Sequence, residues 1–220
     1  EEYQELGYLD TAILNTLARL GWSKGDSEVF YLDDLIRDFE ISEVQKAGAI
    51  FDITKLDFLN SQHMANLSHD DFVEDLKPFL IKVGIDAQSH LKFSDLIESM
   101  RSSSNTLKGV AINLLPYFKD IQEFNTKAIN KFISDSDDVL VDLRSRLLNL
   151  ENWCEQELDE LLNTYREEKG LSVPKVNQPI RIALTGSTSS PSLGMTLYLF
   201  EREEVLKRID DLIALIQKGS

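Results

Sequence analysis

The sequence predicts an all-α protein, and three observations carry that reading. Apolar residues recur at spacings of three and four in nearly every segment, alternating strand-type runs are almost absent, and capping or breaking residues stand where the periodic segments begin and end. With 220 residues, 42% of them hydrophobic and 9% aromatic, the chain can bury a substantial core in one to three compact units.

The first helix is expected over 10–20, with Ile13, Leu14, Leu17 and Leu20 on one inward face and Gly21 closing it. A polar loop, Ser23-Lys24-Gly25-Asp26-Ser27, leads to a short helix over 32–39. Asp52 reads as the N-cap of a helix reaching about residue 60, with Leu56 and Leu59 facing inward. Ser68 reads as the cap of another that carries Phe72, Val73, Leu76 and Phe79 and is bent late by Pro78. Beyond Gly84 come helices over 93–101 and 106–115, the second stopped by Pro116, then a short aromatic segment at Tyr117-Phe118. A longer pair follows over 137–150 and 153–168, ended by Gly170. Punctuation is densest after that, with Pro174, Pro179, Gly186, Pro191 and Gly194. Pro179 is expected to open a short helix over 180–185 that Gly186 ends, and Pro191 to open the next. An amphipathic helix over 201–217 closes the chain, and no internal repeat is visible.

The net charge of −15 speaks against a general nucleic-acid binder, because phosphate contacts need Lys and Arg. The acidity is uneven. Residues 1–70 hold 14 acidic and 5 basic side chains, 71–150 hold 12 and 10, and 151–220 hold 12 and 8, so a local basic face has room only after residue 70. No stretch approaches the roughly 20 apolar residues of a membrane span, and Glu1-Glu2-Tyr3-Gln4-Glu5 is unlike a signal peptide's basic start. A soluble, cytoplasmic monomer is expected. The absence of a first methionine, before what reads as the lead-in to a helix, suggests a piece of something longer. The single Cys154 excludes an intramolecular disulfide and a multi-cysteine zinc site, and His63, His69 and His90 lack metal-ligand spacing, so no metal is expected.

Catalytic patterns are missing: there is no Gly-rich phosphate loop, no paired-histidine motif and no Gly-x-Ser-x-Gly elbow. The carboxylates sit on amphipathic helices and read as a solvated face, so no catalytic residue is assigned. One segment asks for a functional explanation: Gln178-Pro179-Ile180-Arg181-Ile182-Ala183-Leu184-Thr185-Gly186-Ser187-Thr188-Ser189-Ser190-Pro191-Ser192-Leu193. It gathers backbone donors, small hydroxyls and one arginine, which suits phosphate oxygens or unstacked bases. The same Ser and Thr residues serve equally as turn formers and caps.

That segment resembles the end of bacterial-type glutamyl-tRNA synthetases, where a Gln-Pro-Leu-Arg-x-Ala-Leu-Thr-Gly element precedes a Pro-x-Leu and a terminal Arg-rich helix, here Glu204-Val205-Leu206-Lys207-Arg208-Ile209. The front is similar to the same family in Gly7-Tyr8-Leu9, Leu14-Asn15, Leu17-Ala18-Arg19-Leu20-Gly21-Trp22-Ser23 and Gly25-Asp26 with Glu28 and Phe30. A third block is Ile50-Phe51-Asp52 with Lys55-Leu56-Asp57-Phe58-Leu59-Asn60. The family's HIGH-type motif and KMSKS-type ATP loop are absent. The resemblance therefore implies a region without its own cofactor, with ATP and Mg²⁺ belonging to a catalytic domain elsewhere in the parent ligase. It also implies part of a stem-contact domain over 1–70 and two helical anticodon-binding subdomains over 71–148 and 149–220.

Carried over by position, the resemblance makes Arg181 the reader of the first anticodon base, sets Ser190 and Pro191 against the central uracil, and packs Leu193 near it. An arginine fork suits pyrimidine acceptors, and Ser190, commonly Thr in relatives, keeps the hydroxyl. Three positions before Thr106-Leu107, relatives that strictly charge glutamate tRNA usually have an arginine for the third base. Here Ser103 stands, within Arg101-Ser102-Ser103-Ser104-Asn105. The resemblance thus implies glutamate tRNA as partner, with selection relaxed toward glutamine tRNA, unless Arg101 substitutes by another path. Phe200, where relatives commonly have glycine, implies a packing change, and Trp22 and Trp153 read as core or interdomain residues. Lys92, Arg101, Lys108, Lys127, Lys131, Arg144 and Arg146 are together the candidates for tRNA backbone contacts. The alternative is a helical protein–protein interaction module derived from a synthetase paralogue.

Overall fold

The computed structural model describes residues 1–220 except 46, 47, 49, 122, 123, 125, 133–136 and 220, and only the backbone of Thr126, Asn130, Asp137 and Gly219. Its helices are α1 (Glu2–Glu5), α2 (Asp10–Arg19), α3 (Leu32–Asp38), α4 (Ile53–Asn66), α5 (His69–Lys82), α6 (Phe93–Met100) and α7 (Leu107–Leu114). They continue with α8 (Thr126–Phe132), α9 (Asp137–Leu148), α10 (Glu155–Lys169), α11 (Val173–Thr185), α12 (Leu193–Leu199) and α13 (Arg202–Gly219). Among the described residues the extended pairing is limited to one isolated bridge between Lys24 and Ser27, so the all-α expectation is met. The chain divides into unit 1, residues 1–90 with 100–115, and unit 2, residues 91–99 with 116–220.

In unit 1, α2 packs on α4 and α5 on α7. Asp52 caps α4 by accepting from Thr54 N at 2.9 Å, Ser68 caps α5 by accepting from Asp71 N at 3.1 Å, and Thr106 caps α7 by accepting from Gly109 N at 3.1 Å. Each supplies an acceptor to a first-turn N–H that has no partner within the helix. Leu56, Leu59, Phe72, Leu76, Val110 and Leu114 are fully buried. Trp22 packs with Phe30 and Leu35, as a core residue.

Two expectations about this unit need correction. The inward face of α2 is Ala12, Asn15 and Thr16, while Leu14 and Leu17 are exposed. Asn15 is buried because the segment beside it needs partners: its Oδ1 accepts from Phe30 N at 2.9 Å and its Nδ2 donates to Glu28 O at 3.2 Å. Hydrophobic periodicity registers apolar area and is blind to such backbone needs. The helix begun at Asp52 runs six residues past 60, to Asn66, because Asn60 and His63 are buried and bonded on its inward side.

In unit 2, α11 is the centre, packed by α8, α9, α10, α12 and α13. Gly170 and Gly186 end α10 and α11 in the left-handed region, at φ 61° and 68°, as their positions predicted. Two proline expectations fail. Pro174 opens α11, and Pro179 lies inside that single helix rather than starting one. A proline there forgoes one N–H bond, and the burial of Val176, Pro179, Ile180, Ala183 and Leu184 along the inward face offsets the loss. Pro191 stands before the N-cap of α12, and Ser192 is the cap, accepting from Met195 N at 3.1 Å. Helix α8 was not expected at all.

Candidate nucleic-acid interface

The turn between α11 and α12 is built by side chains that hold one another. Thr185, at the end of α11, donates to Arg181 O at 2.9 Å and accepts from Ser187 N at 3.3 Å, which starts the turn that Gly186 completes. Arg181 is half-buried. Its Nε donates to Ser190 Oγ at 2.7 Å and its Nη2 to Pro191 O at 2.9 Å. A guanidinium carries five N–H donors in a rigid plane, so three are left, already aimed by the two bonds that fix the fork. Burial lowers the Arg181 pKa, but an arginine keeps its charge.

Ser190 is the junction of the turn. Besides accepting from Arg181 it lies 2.9 Å from Thr196 Oγ1 and 3.2 Å from Pro191 O. Thr196 in turn donates to Ser192 O at 2.8 Å. Behind the turn, Ser192 Oγ donates to Glu155 Oε1 at 3.2 Å, and the Asp159 carboxylate rests against Gly194, where a Cβ would push it aside.

The structure thus brings Arg181, Ser190 and Pro191 into one hydrogen-bonded constellation. Leu193, 2% exposed, lies beneath it as part of the core. Ser103 belongs to unit 1, where it is exposed and its carbonyl accepts from Asn113 Nδ2 at 2.9 Å. Arg101 points inward: its Nη1 donates to Leu67 O at 2.8 Å and its guanidinium lies 4.6 Å from the Phe72 ring centroid. Those contacts would have to break before it reached a base.

A family model described as an anticodon-binding domain matches residues 71–213, well over half of the chain. The chain belongs to the anticodon-binding domain family of glutamate–tRNA ligases. A second model, the catalytic domain of class I tRNA synthetases for E and Q, matches residues 1–58. The chain is 36% identical over 216 residues to a glutamate–tRNA ligase of Thermodesulfovibrio yellowstonii, covering 96% of this chain and 46% of that one. Identity is 33% over 212 residues to glutamate–tRNA ligase 1 of Campylobacter hominis, covering 96% and 45%. A crystal structure of a glutamate tRNA ligase from Elizabethkingia meningosepticum, in complex with its amino acid, is similar with a TM-score of 0.83 and 28% identity, over 96% of this chain and 42% of that one. The chain spans about half the length of the curated relatives it matches. The interaction-module alternative is not favoured by these matches.

The anticodon-binding match takes in Ser103, the whole α11–α12 turn and every basic side chain singled out above. Those basic residues divide by what they touch. Lys92 donates to Tyr198 O at 2.6 Å and lies over the Tyr198 ring, Arg144 makes a two-pronged bond to Asp210 at 2.6 and 2.8 Å, and Arg146 bonds Glu168 at 2.6 Å above the Tyr165 ring. Lys108, Lys127 and Lys131 are exposed, the last two on α8, which packs on the helix that carries Arg181. Exposed Lys175, on α11 itself, is a further basic residue that the sequence reading passed over. Thr185 and Thr196 were missed as well, although a Thr four residues after Arg181 and another four after Ser192 place each hydroxyl over a carbonyl one turn back. Among the described residues no group of three or more His, Cys, Asp or Glu is arranged to hold a metal ion, and no helix is long and apolar enough to cross a membrane.

Proposed function

We propose that this chain reads the anticodon of glutamate tRNA for a glutamate–tRNA ligase. Its parent, a cytoplasmic monomer, attaches glutamate with ATP and Mg²⁺ bound in a catalytic domain. The observation that carries the reading is the fixed Arg181 fork, which keeps three donors for a ligand while Ser190 and Pro191 O hold its plane. Arg181 reads the first base; Ser190 and Pro191, with Leu193 beneath them, meet the central uracil, and the Ser103 loop faces the third. A hydroxyl suits uracil because it can donate to a carbonyl and accept from N3–H. Lys108, Lys127 and Lys131 supply phosphate contacts, while Arg144 and Arg146 join only by leaving their carboxylate partners.

With serine at 103 in place of a long cationic donor, selection between cytosine and guanine at the third base is relaxed, which admits glutamine tRNA. Because the net charge is −15, affinity rests on the local site and not on a broad positive field. The test is binding of the chain to anticodon stem-loop RNAs that differ in one anticodon base. Tighter binding to the glutamate anticodon is expected, with little preference at the third base. Indifference to the first two bases sinks the reading, and a strong third-base preference for cytosine sinks its relaxed-selection part.

A further inference from the structure

Exposed apolar side chains are unevenly spread along this chain. Among the described residues eighteen large hydrophobic side chains are exposed, and eleven of them lie within residues 1–58, just over a quarter of the sequence. Single exposed hydrophobics are ordinary on any surface, whereas a concentration of them marks a face that something else covers.

The best-defined part of that face is α3 with the turn that follows it. Leu35 packs inward with Trp22 and Phe30, the Phe39 ring lies 5.5 Å from the Trp22 ring, and Trp22 Nε1 donates to Glu43 at 3.1 Å. Just beyond, Gln45 N donates to Gly21 O at 2.8 Å. These contacts anchor the segment and leave Leu32, Ile36 and Ile41 outside the core, 48%, 74% and 82% exposed. Leu32 and Ile36 are four residues apart and share one face of α3. Charged neighbours flank them in an ion-paired group: Arg37 donates to Asp34 and Asp38 at 2.8 Å each, and Lys24 lies 2.5 Å from Asp38. An anchored apolar edge with a polar rim has the make-up of an interface.

The family matches indicate what covers it. Residues 1–58 match part of a catalytic-domain model, although the HIGH-type and KMSKS-type motifs of that domain are absent from the chain. More than half of each of the two curated relatives described above lies outside the matched stretch. Part of a domain, taken alone, exposes faces that the rest of the domain buries. RNA is the wrong occupant, because Asp33, Asp34 and Asp38 stand on α3 and residues 1–70 hold 14 acidic side chains against 5 basic, a field that repels phosphate. We propose that the edge formed by Leu32, Ile36 and Ile41 is a docking surface for the remainder of the catalytic domain of the parent ligase. The assignment rests on the parent ligase argued above and not on base reading.

The test is Ile36→Glu combined with Ile41→Glu, made both in the 220-residue chain and in the whole ligase that contains it. In the chain both positions face solvent, so Tm should stay within about 1 °C of wild type. In the ligase the two carboxylates would be buried against an apolar partner, and Tm should fall by about 5 °C or more. Leu91→Glu is the control: Leu91 is 90% exposed but lies outside residues 1–58, and its substitution should shift Tm in neither protein. Amide hydrogen exchange of residues 32–41 in the wild-type proteins gives a reading that does not depend on a variant folding, and it should be at least about tenfold slower in the ligase than in the chain. Equal Tm shifts in the two proteins, no shift in the ligase, a shift as large from Leu91→Glu, or equal exchange overturns the proposal. So does a wild-type chain that sediments as a dimer which the paired substitution disperses, since a second copy would then cover the edge. Indifference of the chain to the anticodon overturns base reading alone and leaves these expectations unchanged.

Discussion

In unit 1, Asn15 and Asn60 have both polar atoms engaged; in unit 2, Asn177 Oδ1 and Gln178 Oε1 are enclosed without partners. Asn60 accepts from Leu9 N at 2.8 Å and donates to Asn105 O at 2.6 Å, tying two segments far apart in sequence to α4. His63 Nε2 lies 3.1 Å from Asn15 Oδ1, and since that oxygen can only accept, the proton sits on Nε2. The first network is closed, and closure fixes how loops dock. Asn177 and Gln178 lie about one turn before Arg181 on α11. Buried unpaired groups are uncommon because each is unfavourable by about 1–3 kcal/mol.

Asn60→Ala should have the largest effect: it leaves the buried Leu9 N–H unpaired and removes the tie to Asn105 C=O, and a loss on the order of 2–4 kcal/mol is expected in urea unfolding. A loss below about 1 kcal/mol would mean that the closed network does not fix the docking. Gly186→Ala puts a side chain at φ 68°, where strain of about 1–2 kcal/mol is expected. Calorimetry checks the stability, and RNA binding by the same variant shows whether the turn moved.

A smaller, pH-dependent effect is expected from His63, whose pKa burial lowers from 6.5. The folded state then binds fewer protons than the unfolded state, so this contribution is complete above pH 6.5 and is lost as pH falls below it. His63→Gln should remove that part of the slope of unfolding free energy against pH, and an unchanged slope would show the site to be solvated. The smallest effect belongs to the surface pair Arg144–Asp210, where a double-mutant cycle should return less than about 1 kcal/mol in spite of its two-pronged geometry.

The elements that were legible in the sequence are those with local causes. Asp52, Ser68 and Thr106 accept from N–H groups two or three residues on, and Gly170 and Gly186 adopt the backbone their places at helix ends require. Packing of Phe200, expected from its place where relatives have glycine, takes the form of a stack on Tyr117. Pro179 misled because a proline reads the same at a helix start and inside a buried helix; the difference is the apolar face packed around it. Leu14 and Leu17 misled because α2 turns toward backbone groups of residues 28–30 that need an asparagine. The candidate site was legible as the segment from Arg181 to Leu193, since its hydroxyls and arginine are close in sequence. Its division into a half-buried constellation and a buried Leu193 was not.

The sequence alone determined the all-α class, most helix ends and the family, because each follows from contacts within a few residues or from a pattern of residue types. Tertiary structure decided which donors remain to a ligand and which polar groups stay unpaired. Such pairing depends on contacts between distant parts of the chain, as where Tyr117 stacks on Phe200, and side-chain period does not record such distances.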